Sequence, residues 1–270
     1  MVDIDKALHS AKEAAKIGRS IILSHFGRLR DIQEKDQAGL VSEADRESEH
    51  AITQYLRREH AEFWVLGEEE SFAKHGFGPV EILRQSGVWL VDPLDGTTNY
   101  VHRLPFFCVS IGLMFQNEIQ VGVVDCPMQQ KVYWAAKGRG AFVNEEPLHV
   151  SERNKIHDSL LATGFSYTQE ALKNQIEIFG DIVGDARGVR RAGSAAMDLC
   201  WVAEGVFDGY WEGNLKPWDT AAGALIVKEA GGVVTSYDGR PYDPFDLTLV
   251  AANPRLHPIL KNRISERWHK

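Results

Sequence analysis

Cysteine is scarce in this sequence: three residues in 270, Cys108, Cys126 and Cys200. They lie far apart, form no Cys-x-x-Cys pair and are odd in number, which argues against a disulfide framework. Buried thiols in a reducing cytoplasm are the expectation. No apolar run reaches the ~20 residues that a membrane-spanning helix needs. The opening Met1-Val2-Asp3-Ile4-Asp5 lacks the basic start and apolar core of a secretory signal. Positive charge is in deficit, with 30 Lys and Arg against 38 Asp and Glu and a formal net charge of -8. Such a surface offers no general attraction to nucleic acid. Ten histidines are present, but none forms His-Glu-x-x-His or His-x-His, and the EF-hand loop pattern is missing. Nor is there an internal repeat, a low-complexity linker, or a Ser-His or Cys-His pairing motif.

What remains is an ordinary globular composition, 44% hydrophobic and 25% charged, in a chain long enough for one large or two small domains. Ile4, Leu8, Ala11, Ala15, Gly18 and Ile22 recur at helical spacing, and Gly27 offers a stop. The polar stretch 28–39 reads as a mobile loop. A second helix is expected from about Glu43 to Arg58, with Ser42 as its N-cap and Asp45 in its first turn. Strand patterns follow at 63–66, 88–91, 108–115, 119–124, 132–136 and 140–144, the later ones as an antiparallel meander. The second half alternates: strands at 160–162, 206–211, 233–234 and 247–251, with helices at 169–182, 194–203 and 217–230. The change of character near 146–153 suggests a division into 1–150 and 151–270.

The strongest local signal is Trp89-Leu90-Val91-Asp92-Pro93-Leu94-Asp95-Gly96-Thr97-Thr98-Asn99. An apolar strand delivers two carboxylates into a turn that Pro93 stiffens, and Gly96 permits close backbone approach. Thr97 and Thr98 stand where a short helix can begin and offer amides to a phosphate. A second acidic turn, Gly67-Glu68-Glu69-Glu70, follows another apolar strand, and Asp219 opens a helix after Trp218. Each alone reads as well as a turn residue, a solvated run or a cap. Together they suggest convergence. Two carboxylates ~4 Å apart repel by roughly 4 kcal/mol at an effective dielectric of ~20, so a cluster calls for cations or raised pKa values. Hard oxygen donors favour magnesium, manganese or calcium over zinc.

These residues resemble the inositol monophosphatase family, within the lithium-sensitive, magnesium-dependent sugar-phosphatase superfamily. The carriers are Gly67-Glu68-Glu69, the run from Asp92 to Asn99, Trp218-Asp219 leading into Ala221-Ala222-Gly223, then Gly193-Ser194-Ala195-Ala196 and Glu212. The likeness spans Asp45 to Gly231-Gly232. The resemblance implies an α/β (α+β) fold, a layered αβαβα sandwich of the sugar-phosphatase type. Its first half would be an antiparallel sheet covered by two helices, its second a smaller mixed sheet. The resemblance also implies side-chain ligation of two or three Mg2+ ions by Glu68, Asp92, Asp95 and Asp219, with the Leu94 carbonyl, Mn2+ as a substitute, and Ca2+ and Li+ as inhibitors. Glu69 would be a supporting acid. Thr97 would position the attacking water and Asp45 would hold the Thr97 hydroxyl. Gly96 and Thr97 amides would hold phosphate, and Gly193, Ser194, Ala195, Glu212 and Asp219 would meet the alcohol half of the substrate. The loop containing Lys35 would close over the site. Two departures stand out: Glu70 in place of a small hydroxyl residue, which would add charge near the ions, and Lys216, which faces either the leaving group or solvent.

The implied function is a phosphoric monoester hydrolase acting on a small phosphorylated polyol or sugar, first of all inositol monophosphate, through metal-activated water. Related substrates are fructose 1,6-bisphosphate, histidinol phosphate and NADP. A homodimer is expected, with Phe106, Phe107 and Trp201 as either interface or core, and binding to transcription machinery is known among bacterial relatives. An aspartyl-phosphate enzyme would place Asp-x-Asp-x-Thr after the strand, whereas Asp92 and Asp95 are three apart. A structural calcium module would leave Gly96-Thr97 without a role.

Overall fold

The computed structural model describes residues 2–35, 39–73, 80–166 and 169–268. The chain opens with α1 (Ile4–His25), capped by Asp3, whose carboxylate accepts from Lys6 N at 3.0 Å. A strand pair, β1 (Ile32–Lys35) and β2 (Gly39–Ser42), leads into α2 (Glu43–Glu59). Then come β3 (Trp64–Gly67), α3 (Glu68–Ala73), α4 (Val80–Ser86), β4 (Val88–Asp95) and α5 (Thr97–Val101). The meander is β5 (Cys108–Phe115), β6 (Glu118–Cys126), β7 (Lys131–Ala136), β8 (Ala141–Val143) and β9 (Glu146–Pro147). The second half holds β10 (Leu160–Thr163), α6 (Gln169–Val183), β11 (Gly188–Arg190), α7 (Ala195–Ala203) and β12 (Gly209–Gly213). It closes with α8 (Pro217–Glu229), β13 (Val233–Thr235), β14 (Thr248–Ala252) and α9 (His257–Arg267).

Strands β3 to β9 form a seven-stranded sheet in chain order, and the five-stranded sheet runs β11-β10-β12-β14-β13. Helices α1 and α2 cover the outer face of the larger sheet, α7 and α8 lie between the sheets, and α6 and α9 cover the far face of the smaller one. This is the expected αβαβα layering. Small residues set the spacing. The buried face of α1 is Ala7, Ser10, Ala11, Ala14, Ala15 and Gly18, with Ile22 at its end, so α2 can approach closely; a Cβ on Gly18 would stand 2.8 Å from Ile52 Cδ1. Gly112 and Gly122 face each other across β5 and β6. Glycine in a strand often marks close backbone approach, and here α8 occupies the space: a Cβ on Gly122 would lie 2.8 Å from Ala222 Cα. The first turn of α8 is therefore pressed against the sheet, and Ser110 Oγ donates to the Trp218 carbonyl at 3.1 Å.

The structure differs from the sequence reading at several points. Within 28–39, read as an irregular loop, Ile32–Lys35 pairs antiparallel with Gly39–Ser42. Its strand character comes from that pairing, since residues 31–33 are exposed and carry no apolar alternation. The larger sheet is not wholly antiparallel: β3 runs parallel to β4, reached by a crossover through α3 and α4. The acidic run after Gly67 begins a helix rather than a turn. The strand expected from Val206 starts only at Gly209. Phe106 and Phe107 are core residues, and Trp201 is half-buried, edge-on to Phe106 with ring centroids 5.0 Å apart. Among the described residues no helix is long and apolar enough to cross a membrane.

Candidate active site

The acids at the end of β4 show how backbone geometry builds the site. In a regular strand, residues three apart point to opposite faces. Here Asp92 pairs with Ser110 but Asp95 pairs with Cys108, so β4 carries one extra residue between them. This bulge falls at Pro93-Leu94, where proline has no amide to give the ladder. The extra residue turns Asp95 to the same side as Asp92. Gly96 then adopts φ 97°, and a Cβ there would meet Phe106 O at 3.0 Å and Gly193 O at 3.3 Å. Only glycine is comfortable in that position. Helix α5 follows at once, so its first amides, which have no intrahelical acceptor, open toward the cavity that Gly96, Thr97 and Thr98 line.

That cavity is about 380 Å³ and lies beyond the end of β4, beside the N-terminal ends of α7 and α8. Glu68 reaches it from the start of α3, Asp92, Leu94 and Asp95 from β4, and Asp219 from the first turn of α8. Gly193, Ser194, Ala195 and Glu212 line it as well. Asp45 does not line it, but its Oδ1 accepts from Thr97 Oγ1 at 2.9 Å, while its Oδ2 accepts from Ser42 N at 2.8 Å and Ser42 Oγ at 2.6 Å. With its proton on Asp45, Thr97 presents oxygen lone pairs to the cavity. The same hydroxyl lies 3.1 Å from the Leu94 carbonyl. Asp219 accepts from Lys216 N at 2.7 Å and Asp92 from Leu94 N at 3.0 Å. Asp95 Oδ2 accepts from Ser194 Oγ and Ala196 N, both at 2.7 Å. Ser194 also caps α7. Ser194→Ala is therefore expected to cost about 1–2 kcal/mol, read as a lower urea midpoint at constant m-value.

Crowding shows in the titration of these groups. Burial, then Glu68, Asp95 and Asp219, drives Asp92 well above the ordinary carboxylate range. Burial, then Glu68 and Asp95, does the same to Asp219. Asp95 is held to about 6, because the Ser194 and Ala196 donors oppose its burial. Glu212 rises to about 7 through burial, partly offset by the Tyr210 hydroxyl and by Arg191. Among the described residues no three His, Cys, Asp or Glu side chains are drawn close enough to enclose an ion as they stand. The donor set nevertheless fits a hard divalent cation. It consists of half-buried and buried carboxylates whose charges oppose one another, with a backbone carbonyl beside them and, among the described residues, no thiolate or imidazole lining the cavity.

Glu70 pairs with Arg57 Nη2 at 3.1 Å. The Glu69 amide donates to Glu49. Lys216 lines the cavity, and its backbone amide donates to Asp219. The Lys35 side chain and residues 36–38 lie outside the described residues, although Leu40 of β2 does reach the cavity. Sequence reasoning missed Arg191, Phe165 and Asn214 on the wall, and the fully buried Asp198 behind it. Arg191 could have been suspected from its place two residues before Gly193-Ser194.

A model of the inositol monophosphatase family matches residues 3–269. An inositol-1-monophosphatase of Synechocystis is 41% identical over 265 residues, covering 97% of this chain and 90% of the relative. The Nus factor SuhB of Pseudomonas aeruginosa is 38% identical over 237 residues, 86% of each chain. The solved inositol monophosphatase of Anabaena superposes with a TM-score of 0.84 at 35% identity, covering 98% of this chain and 97% of its own.

Proposed function

The chain belongs to the inositol monophosphatase family and is a phosphatase, and on that premise we propose that it hydrolyses the phosphate monoester of a small polyol, inositol monophosphate foremost, with magnesium. The observation that carries this reading is the meeting of Glu68, Asp92, Asp95 and Asp219, from three distant segments, on one cavity beside the Asp45–Thr97 pair. Those four carboxylates and the Leu94 carbonyl would hold the ions. Magnesium, when bound, supplies charge neutralisation at the phosphate and acidifies water beside it.

The remaining work falls to the chain's own groups. The opening amides of α5 receive phosphate oxygens. Thr97, its proton held by Asp45, accepts a hydrogen bond from the attacking water and fixes its line of approach. Ser194, Ala195 and Glu212 stand on the wall that faces the alcohol, where Glu212 can accept from substrate hydroxyls. Lys216 brings a positive charge to the same cavity, close to where the ester oxygen leaves. No protein nucleophile is needed. The reading also carries lithium and calcium as inhibitors, a homodimer as the assembly and the cytoplasm as the compartment, each drawn from the resemblance or the composition. The name of the Pseudomonas relative points to a transcription role for that protein; the carboxylate cavity favours catalysis here.

The test is phosphate release from a panel of monoesters, with magnesium and after chelation. Magnesium-dependent release from inositol monophosphate ahead of fructose 1,6-bisphosphate, histidinol phosphate and NADP is expected. Equal release in the presence of chelator would sink the metal reading, and a stronger preference for another monoester would replace the substrate.

A further inference from the structure

Helix α2 touches the site at three points, on two segments, with residues 45, 48 and 49, which at spacings of three and four share one helical face. Asp45 holds Thr97. Ser48 Oγ donates to the Pro93 carbonyl at 3.1 Å, gripping the bulge that aligns Asp92 with Asp95. Glu49 is the third. Its side chain is 6% exposed, its Oε2 accepts from Glu69 N and its Oε1 from Glu70 N, both at 2.7 Å. The carboxylate also fills the space beside Gly67. A Cβ there would lie 2.4 Å from Glu49 Cδ and 2.5 Å from Oε2.

A buried carboxylate is costly unless hydrogen-bonded, and this one makes its two described bonds to consecutive backbone amides. Those amides open α3, the element whose first residue, Glu68, faces the cavity. A bidentate acceptor fixes both position and rotation of that first turn, which a single acceptor would leave free to pivot. Gly67 is the complementary half, because no other residue leaves room for the acid.

We propose that Glu49, seated against Gly67, is a positioning residue that locks the start of α3 so that Glu68 is presented to the divalent cations alongside Asp92, Asp95 and Asp219. The inference rests on the metal-phosphatase reading above. Its function lies in metal affinity, reached through Glu68; Glu49 itself touches neither ion nor substrate. Outer partners of metal ligands typically contribute 10–100-fold in affinity.

The test uses the full chain freed of metal by chelation and titrated with Mn2+, the free ion being followed by electron paramagnetic resonance. Glu49→Gln keeps the shape but sets an amide NH2 against one of the two N–H donors. It is expected to weaken Mn2+ binding about 10-fold or more, with the metal-free melting temperature held within a few degrees and the substrate KM at saturating metal unchanged. Gly67→Ala leaves Glu49 chemically intact but displaces it, and should weaken Mn2+ binding in the same way; it carries the test if Glu49→Gln does not fold. Wild-type Mn2+ affinity in either folded variant would overturn the proposal. Failure of the unaltered protein to take up Mn2+ would instead remove the metal-phosphatase reading, and this inference with it.

Discussion

Asp92→Asn is expected to slow phosphate release at saturating magnesium by about 10³-fold or more, and to do so in a protein that folds normally. Asp92 is 2% exposed and lies among Glu68, Asp95 and Asp219. Asparagine keeps the volume and retains the oxygen that accepts from Leu94 N at 3.0 Å, so the bulge survives. What disappears is one negative charge where cations must be held. In the metal-free protein that loss is a gain, because a buried carboxylate repelled by its neighbours is exchanged for a neutral amide. The variant should melt higher than the unaltered protein in chelator and show little response to magnesium. Activity and stability moving in opposite directions identify a functional acid, whereas a structural acid would lose both. Full turnover in a well-folded variant would remove Asp92 from the machinery.

The metal-free protein should lose stability as pH rises from about 4 to about 7, the reverse of ordinary acid denaturation. Asp95 is held at about 6 and Glu49 and Glu212 at about 7, all above their unfolded values near 4. In that window the folded state binds more protons than the unfolded one, so the slope of stability against pH is negative. Each group shifted by ~2 units contributes on the order of 3 kcal/mol. His257, pushed down to about 4 by burial, has the opposite sign and loses stability as pH falls from about 6.5. Burial lowers His60 in the same direction, so two imidazoles stand against several carboxyls. Magnesium restores what deprotonation removes: at a hundred times its dissociation constant it adds about 2.7 kcal/mol, or roughly 5–10 °C in melting temperature. Calorimetry in chelator and in magnesium, at pH 5 and pH 8, should show a lower melting temperature at pH 8 in chelator and a magnesium-induced rise mainly at pH 8. A chelated protein that melts higher at pH 8 and ignores magnesium would contradict the cluster.

Much of this was legible in the residues. Asp92-Pro93-Leu94-Asp95-Gly96 announces acids at a stiffened strand end, and Ser42 with Asp45 announces a helix start that the structure places within reach of Thr97. The meander was readable because β5 to β8 alternate between clear turns. The bulge between Asp92 and Asp95 was not, since register is a property of two strands and only one is visible locally. The parallel pairing of β3 with β4 depends on the crossover through α3 and α4, and Glu68-Glu69-Glu70 looks equally like a solvated turn. Pairing of β1 with β2 has only Ile32 and Leu40-Val41 as an apolar signature, too short to mark a strand pair. Glu49 was hidden for a similar reason: a glutamate in a charged helix reads as surface until Gly67 is seen to make room for it. Arg191 and Asp198 become site residues only once α7 and β12 are brought against the end of β4.

Glu68, Asp92, Asp95 and Asp219 are expected to hold divalent cations jointly in the cavity beyond the end of β4. Anomalous diffraction from crystals grown with Mn2+ tests it most directly. Peaks bounded by oxygen atoms of those four side chains are predicted, with the Leu94 carbonyl beside them. An ordered cavity without anomalous signal, or manganese bound only at other sites on the protein, would contradict it.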